Sequence, residues 1–152
     1  MQPENATKNP PAPRIVSPYV GSIATLLATL IAAFFSIYGF YSALTLTSSI
    51  YMHNAEAAVA AGIDTILFAF GCTGSYFTWK RSHFHLALTG AFLVLASFGV
   101  ETILLNYLSP PIPTALNYKS PIAAYTPLLI IQILISLTGV VFTLSSAKHF
   151  TS

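Results

Sequence analysis

The chain has 152 residues, of which only 7% are charged while 55% are hydrophobic. About a quarter of an ordinary soluble domain is charged, so too few charges are present here to cover a water-exposed surface. The formal net charge of +2 excludes nucleic-acid binding through a basic patch, and the single cysteine, Cys72, excludes an internal disulfide or a CxxC motif. The composition therefore predicts an integral membrane protein.

The chain begins with a Pro-rich segment, residues 1–17, which the prolines predict to be an extended tail. Residues 15–52 then contain no charged residue and no histidine. This block is too short for two crossings of about 20 residues each with a turn between them. Ser17 and Pro18 provide an N-cap and a proline suited to the first helical position. We therefore predict one helix over residues 18–49.

Three further apolar blocks follow, and each is long enough for one crossing of about 20 residues. They predict helices over residues 55–79, 84–108 and 121–147. The runs lack the strict apolar and polar alternation of a β-barrel strand. The fold predicted for residues 18–148 is therefore an all-α bundle of four transmembrane helices.

Small residues in these helices predict which faces pack together, because small side chains allow close approach in lipid. The second helix carries a stripe at four-residue spacing: Ala57, Ala61, Thr65, Ala69 and Thr73. The first and third helices carry similar residues, whereas the fourth is rich in Leu and Ile. We expect helices one to three to pack closely and helix four to face lipid to a larger extent.

The basic residues predict the orientation of the bundle, since cytoplasmic loops carry an excess of Lys and Arg. Five of the six fall on one predicted side: Lys8, Arg14, Lys80, Arg81 and Lys148. The opposite side has only Lys119. Both the N-terminus and the C-terminus are therefore predicted to lie in the cytoplasm, with the cell membrane as the predicted location.

Histidines join the basic residues at this inner interface, where we predict contact with anionic headgroups. The predicted basic cluster consists of Lys80, Arg81, His83, His85 and Lys148. Haem held between helices needs a histidine inside the bilayer from each of two helices. His85 and His149 lie too close to the interface to meet that condition well. The sequence assigns no metal-binding or cofactor-binding residue, and the cofactors stay unknown.

Two acidic residues lie inside the predicted membrane layer: Asp64, roughly 13 Å from the outer end of its helix, and Glu101, roughly 10 Å deep. Each acid costs about 2.5–3.5 kcal/mol to place there, so we expect both to face partners. One interpretation is a polar clasp with Gln132 of the fourth helix. The others are a path for protons or cations, and contact with a neighbouring subunit. No Lys or Arg lies at this depth in the chain.

Motifs for catalysis are missing from the sequence: it has no nucleophile elbow, P-loop, zincin motif or dinucleotide fingerprint. It therefore gives no residue-level reason to predict an enzyme, and no catalytic residue is assigned. Our first hypothesis is a structural or accessory subunit of a larger membrane complex, with the lipid bilayer and other membrane subunits as partners. The alternative is a small oligomeric transporter or proton or cation conduit that uses Asp64 and Glu101. A third is an electron-transfer subunit with haem on His85.

Overall fold

A computed structural model describes residues 17–45, 54–108 and 121–151. These residues form four long helices: α1 (Ser17–Thr45), α2 (Asn54–Lys80), α3 (Phe84–Tyr107) and α4 (Pro121–Ser145). A short 3₁₀ helix, Ala147–His149, follows α4. All four long helices are long and apolar enough to cross a membrane. The prediction of an all-α chain with four such helices is therefore confirmed.

The helix ends lie close to the predicted ones where the structure describes them. Ser17, predicted as the last tail residue, is the first residue of α1. The rest of the tail and residues 46–49, the predicted end of the first helix, lie outside the described residues. The α-helical part of α4 ends at Ser145 rather than at residue 147. Ser146 donates its hydroxyl to the Thr143 carbonyl at 2.9 Å, and the chain then tightens into the 3₁₀ turn.

The four helices form a bundle in which consecutive helices are neighbours and α1 also packs against α4. Inward positions alternate at spacings of three and four residues, the heptad pattern of helices that pack side by side. On α1 they are Gly21, Thr25, Ala28, Ala32, Phe35, Gly39 and Ser42. On α3 they are Ala87, Gly90, Val94, Ser97, Glu101 and Leu104. On α4 they include Leu129, Gln132, Ser136, Gly139 and Thr143.

On α2 the inward face differs from the predicted four-residue stripe. Ala57 and Ala61 are buried, but Thr65, Ala69 and Thr73 are exposed. A strict four-residue repeat rotates by about 40° per step around an α-helix and leaves the contact. The buried face continues instead through Asp64, Gly71, Ser75 and Thr78, at heptad spacing.

Helix α4 is less buried than α1 and α3, in line with the expectation, but it is no more exposed than α2. The buried share of the apolar segment is 33% in α4 and α2, 39% in α3 and 50% in α1. Two glycines explain the close packing of α4 on α1. A Cβ atom on Gly139 would lie 2.7 Å from Thr25 Oγ1, and one on Gly21 would lie 3.1 Å from the Thr143 backbone nitrogen. The many Leu and Ile residues of α4 lie largely on its outer face. Their number therefore gave no information about the close contact that the inner face of α4 makes with α1.

One end of the bundle brings together the start of α1, the α2–α3 turn (residues 81–83) and residues 146–151, and we call it the basic end. The Ser17 hydroxyl donates to the Phe142 carbonyl at 3.3 Å. The Thr151 backbone amide donates to the Arg81 carbonyl at 2.8 Å. Both chain ends of the described bundle therefore lie on the same side as the α2–α3 turn.

Candidate polar site in the bundle interior

Asp64, Glu101 and Gln132 all lie on the inward faces of their helices, and each is 0% exposed. Their positions follow from the heptad spacing, since Asp64 comes three residues after the buried Ala61 and Gln132 comes three after the buried Leu129. The packing that buries small residues along α2, α3 and α4 therefore carries these three polar side chains into the interior.

Glu101 is hydrogen-bonded across the contact between α3 and α4. Its Oε1 atom accepts from the Gln132 amide nitrogen at 2.6 Å and from the Ser97 hydroxyl at 2.9 Å. The Gln132 nitrogen also lies 3.0 Å from the Ser97 hydroxyl oxygen. The structure thus brings the predicted pair Glu101 and Gln132 together, and adds Ser97, which the sequence placed among the small packing residues of the third helix rather than at this site.

Asp64 lies near this group but makes no hydrogen bond through its side chain. Both of its carboxylate oxygens are buried without a partner in the described structure, as are Glu101 Oε2 and Gln132 Oε1. Ala61 of α2 and Leu104 of α3 belong to one packed cluster. Asp64 and Glu101 each lie three residues from them on the same side of that cluster, so the two carboxylates lie at the same level of the bundle. We call Asp64, Ser97, Glu101 and Gln132 the acidic site.

The acidic site has more hydrogen-bond acceptors than donors. An ionised carboxylate only accepts, while the Ser97 hydroxyl offers one hydrogen and the Gln132 amide offers two. These hydrogens face Glu101 Oε1 and the oxygens of Ser97 and Val94. The remaining carboxylate and amide oxygens of the site have none. When both carboxyls are ionised, the site can therefore accept a proton or a cation.

Hydroxyl groups join α1 to α2 in the same interior. The Ser22 hydroxyl donates to the Ser75 carbonyl at 2.9 Å, and the Ser75 hydroxyl donates to the Ser22 carbonyl at 3.0 Å. Further along the helices, the Ser36 hydroxyl donates to the Ala61 carbonyl at 3.1 Å. The sequence analysis missed these serines. Their heptad spacing among small residues is the signal that could have found them.

The predicted basic cluster surrounds the basic end but does not converge on one point. Arg81 lies over the Tyr19 ring at 4.9 Å, and the Lys80 ammonium lies over the Tyr76 ring at 5.9 Å. His83, His85 and Lys148 are exposed. The arrangement provides separate cationic groups beside aromatic rings, which is the pattern of side chains at a membrane interface.

Neither a metal-binding group nor a known relative gives further information on the function. Within the described ranges, no group of three or more His, Cys, Asp or Glu side chains could hold a metal ion. Comparisons of the chain with protein-family models, curated proteins and solved structures find no match. The acidic site is thus the feature of the described structure that points to a function.

Proposed function

We propose that this chain is an integral membrane protein with both termini in the cytoplasm, and that it transports or conducts protons through the acidic site. Asp64 and Glu101 are the groups that bind and release the proton. The observation that carries this proposal is the Asp64 carboxylate, which is fully buried at the level of Glu101 with both oxygens unpartnered. Acids at membrane depth are costly and mark ion and proton paths in membrane proteins.

Membrane insertion is supported by the outer surface of the bundle. Large apolar side chains on all four helices are between 38% and 77% exposed, with Leu44 the most exposed of them. Soluble monomers rarely expose contiguous apolar patches of more than a few hundred Å². Such an apolar surface is suited to contact with lipid rather than with water.

A proton suits the acidic site better than a metal cation does. One proton neutralises the buried Asp64 carboxylate, which removes the cost of keeping an ionised group without partners in the interior. A hard cation such as Ca²⁺ instead takes about six to eight oxygen ligands. The acidic site offers fewer unpartnered oxygens than that: two on Asp64 and one each on Glu101 and Gln132.

Proton flux into liposomes tests this function directly. Purified protein is reconstituted with an internal pH-sensitive dye, and a potassium diffusion potential drives proton entry. We expect flux from the wild type, and Asp64→Asn and Glu101→Gln to reduce it to the level of protein-free liposomes. Glu56→Gln is the matched control, because Glu56 is an exposed carboxylate in the first turn of α2, and it is expected to keep the flux. Loss of flux in Glu56→Gln alone would contradict the assignment.

A structural or accessory role is the second candidate, and the hydrogen bonds from Gln132 and Ser97 to Glu101 favour it, since they hold α3 and α4 in register. Both acids are sealed inside the bundle, so partner subunits would contact the outer apolar surface rather than the acids. A wild type without flux, together with Asp64→Asn and Glu101→Gln variants that only melt at lower temperature, would favour this role.

A further inference from the structure

A cavity opens at the basic end, between the start of α3 and the segment that follows α4. Its volume is about 390 Å³, a size typical of small-molecule sites. We call it the histidine cavity. Both segments contribute to its lining, which consists of His83, Phe84, His85, Ala147, Phe150 and Thr151.

Contacts between the two segments hold the walls of the histidine cavity together. The Thr151 backbone amide and the Thr151 hydroxyl both donate to the Arg81 carbonyl, at 2.8 and 3.2 Å. The rings of Phe84 and Phe150 meet edge to face, with their centroids 5.2 Å apart. The two walls are therefore fixed relative to each other, and the cavity is part of the folded bundle.

The two histidines bring hydrogen-bond donors to the cavity. The His83 ring packs edge to face on Phe77, with centroids 5.2 Å apart, and the His85 ring packs on Phe84 at 5.9 Å. Within the described residues, neither imidazole makes a hydrogen bond to another protein group. A neutral imidazole has one N–H donor, and an imidazolium has two. Both rings can therefore donate to a ligand.

The charges around the histidine cavity favour an anion. Three basic residues of the described structure lie at this end: Lys80, Arg81 and Lys148. Asp64 and Glu101 lie roughly 24 Å and 26 Å from the ends of α2 and α3 that border the cavity, at the rise of an α-helix. Glu56 lies farther along α2. Because salt screens charges beyond about 8–10 Å, the basic residues act on the cavity and these three acids do not.

We propose that the histidine cavity binds the phosphate group of an anionic membrane lipid. His83 and His85 donate to the phosphate oxygens, and Lys148, which directly follows Ala147, adds positive charge beside them. The Phe84 and Phe150 rings contact the apolar part of the same molecule, which a free phosphate ion lacks. The proposal rests on the membrane insertion proposed above and is independent of proton transport.

Lipid binding to the full-length protein tests this proposal. The protein in detergent is titrated with phosphatidylglycerol and, separately, with phosphatidylcholine of the same acyl chains, and bound lipids are counted by native mass spectrometry. Both lipids carry a phosphate, but only the first has a net negative charge. We expect phosphatidylglycerol to bind about tenfold more tightly, because hydrogen bonds and cations at the cavity favour the anion.

Two double variants separate the cavity from general attraction to the basic end. His83→Phe with His85→Phe keeps rings beside Phe77 and Phe84 but removes the N–H donors, and we expect it to abolish most of the tenfold preference. The matched control is Lys80→Gln with Arg81→Gln, which removes two full charges at the same end without changing a lining side chain. We expect this control to lose about threefold or less, since exposed charges are screened.

A third variant acts on the opposite wall and keeps the test decisive if the histidine variant fails to fold. Ala147→Trp places a large side chain in the cavity, and we expect it to reduce phosphatidylglycerol binding about tenfold. Inorganic phosphate is added as a competitor and is expected to displace no lipid. Displacement of phosphatidylglycerol by millimolar phosphate would overturn the assignment of a lipid as the ligand.

The remaining outcomes distinguish this site from the proposed function. Equal affinity for the two lipids would overturn the lipid site, and so would a loss in the Lys80 and Arg81 control as large as that in the histidine variant. Lipid preference without proton flux would support the site and contradict proton transport. Proton flux without lipid preference would remove the site and leave the transport function. Protein that purifies without detergent would contradict the membrane insertion on which both depend.

Discussion

At the scale of single residues, the Gln132 amide is the group that connects Glu101 to α4. Replacing it in Gln132→Leu leaves Glu101 with only the Ser97 hydroxyl as donor. We expect the free energy of unfolding in detergent to fall by about 1–2 kcal/mol. In the double variant Gln132→Leu with Glu101→Leu, the loss should be smaller than the sum of the single losses, because replacing both partners leaves no buried acceptor unpaired.

The control for this measurement is Thr138→Val on the same helix. The Thr138 side chain is exposed, and its hydroxyl bonds to the Leu134 carbonyl of its own helix. Its removal is expected to change the free energy of unfolding by less than about 0.5 kcal/mol. Equal losses for Gln132→Leu and Thr138→Val would show that the bond to Glu101 does not stabilise the helix contact.

The sequence located the polar residues of the acidic site but not their bonds. The cost of an acid in an apolar block is enough to predict that Asp64 and Glu101 face inward. Which of them meets Gln132 depends on the rotation of α2, α3 and α4 about their axes, and close packing sets that rotation. Ser97 was expected on a packing face but not at this site, because a helical serine can bond to its own backbone as well as to a neighbouring helix.

At the scale of helices, the contact between α2 and α3 depends on Gly74 and Gly90. A Cβ atom on Gly90 would lie 2.5 Å from the Gly74 Cα and 2.6 Å from the Phe70 carbonyl oxygen. These are backbone atoms, so relief requires the helices to separate. We expect Gly90→Ala to lower the free energy of unfolding by about 1–3 kcal/mol, measured by thermal unfolding in detergent.

Gly99 of the same helix provides the matched control. A Cβ atom there would meet nothing within 4 Å. Alanine is a better helix former than glycine by about 1 kcal/mol, so Gly99→Ala is expected to leave stability unchanged or raise it slightly. Destabilisation of similar size in both variants would mean that the close approach at Gly90 does not hold α2 and α3 together.

The sequence was sufficient to predict the helices, but it predicted only part of the face that each helix turns inward. Apolar residues cover both sides of each helix, so hydrophobic periodicity does not separate the two. The information lies in small and polar residues at heptad spacing, such as Gly21, Thr25 and Ala28 on α1. A four-residue stripe follows that face for only about two turns, so Ala69 and Thr73 were placed on the wrong side of α2, whereas the Thr65 hydroxyl still meets the Ser36 hydroxyl of α1 at 2.6 Å.

At the scale of the whole molecule, the structure brings the described basic residues to one end. Lys80 is the last residue of α2, Arg81 comes directly after it, and Lys148 follows α4. Near them the Tyr19 and Trp79 rings meet edge to face, with centroids 5.0 Å apart. Lys8, Arg14 and Lys119, which complete the predicted charge asymmetry, lie outside the described residues. Aromatic rings beside basic side chains suit the headgroup layer.

The orientation of the bundle decides which compartment the basic end faces, and the proposed orientation places it in the cytoplasm. Alkaline phosphatase fused at the C-terminus should be inactive in a bacterial inner membrane, and active when fused after Met52. The physical reason is the excess of Lys and Arg on the basic end. Changing Lys80, Arg81 and Lys148 to Gln should give a mixed orientation with phosphatase activity from both fusions, whereas Lys119→Gln should not. An active C-terminal fusion in the unchanged chain would contradict a cytoplasmic basic end.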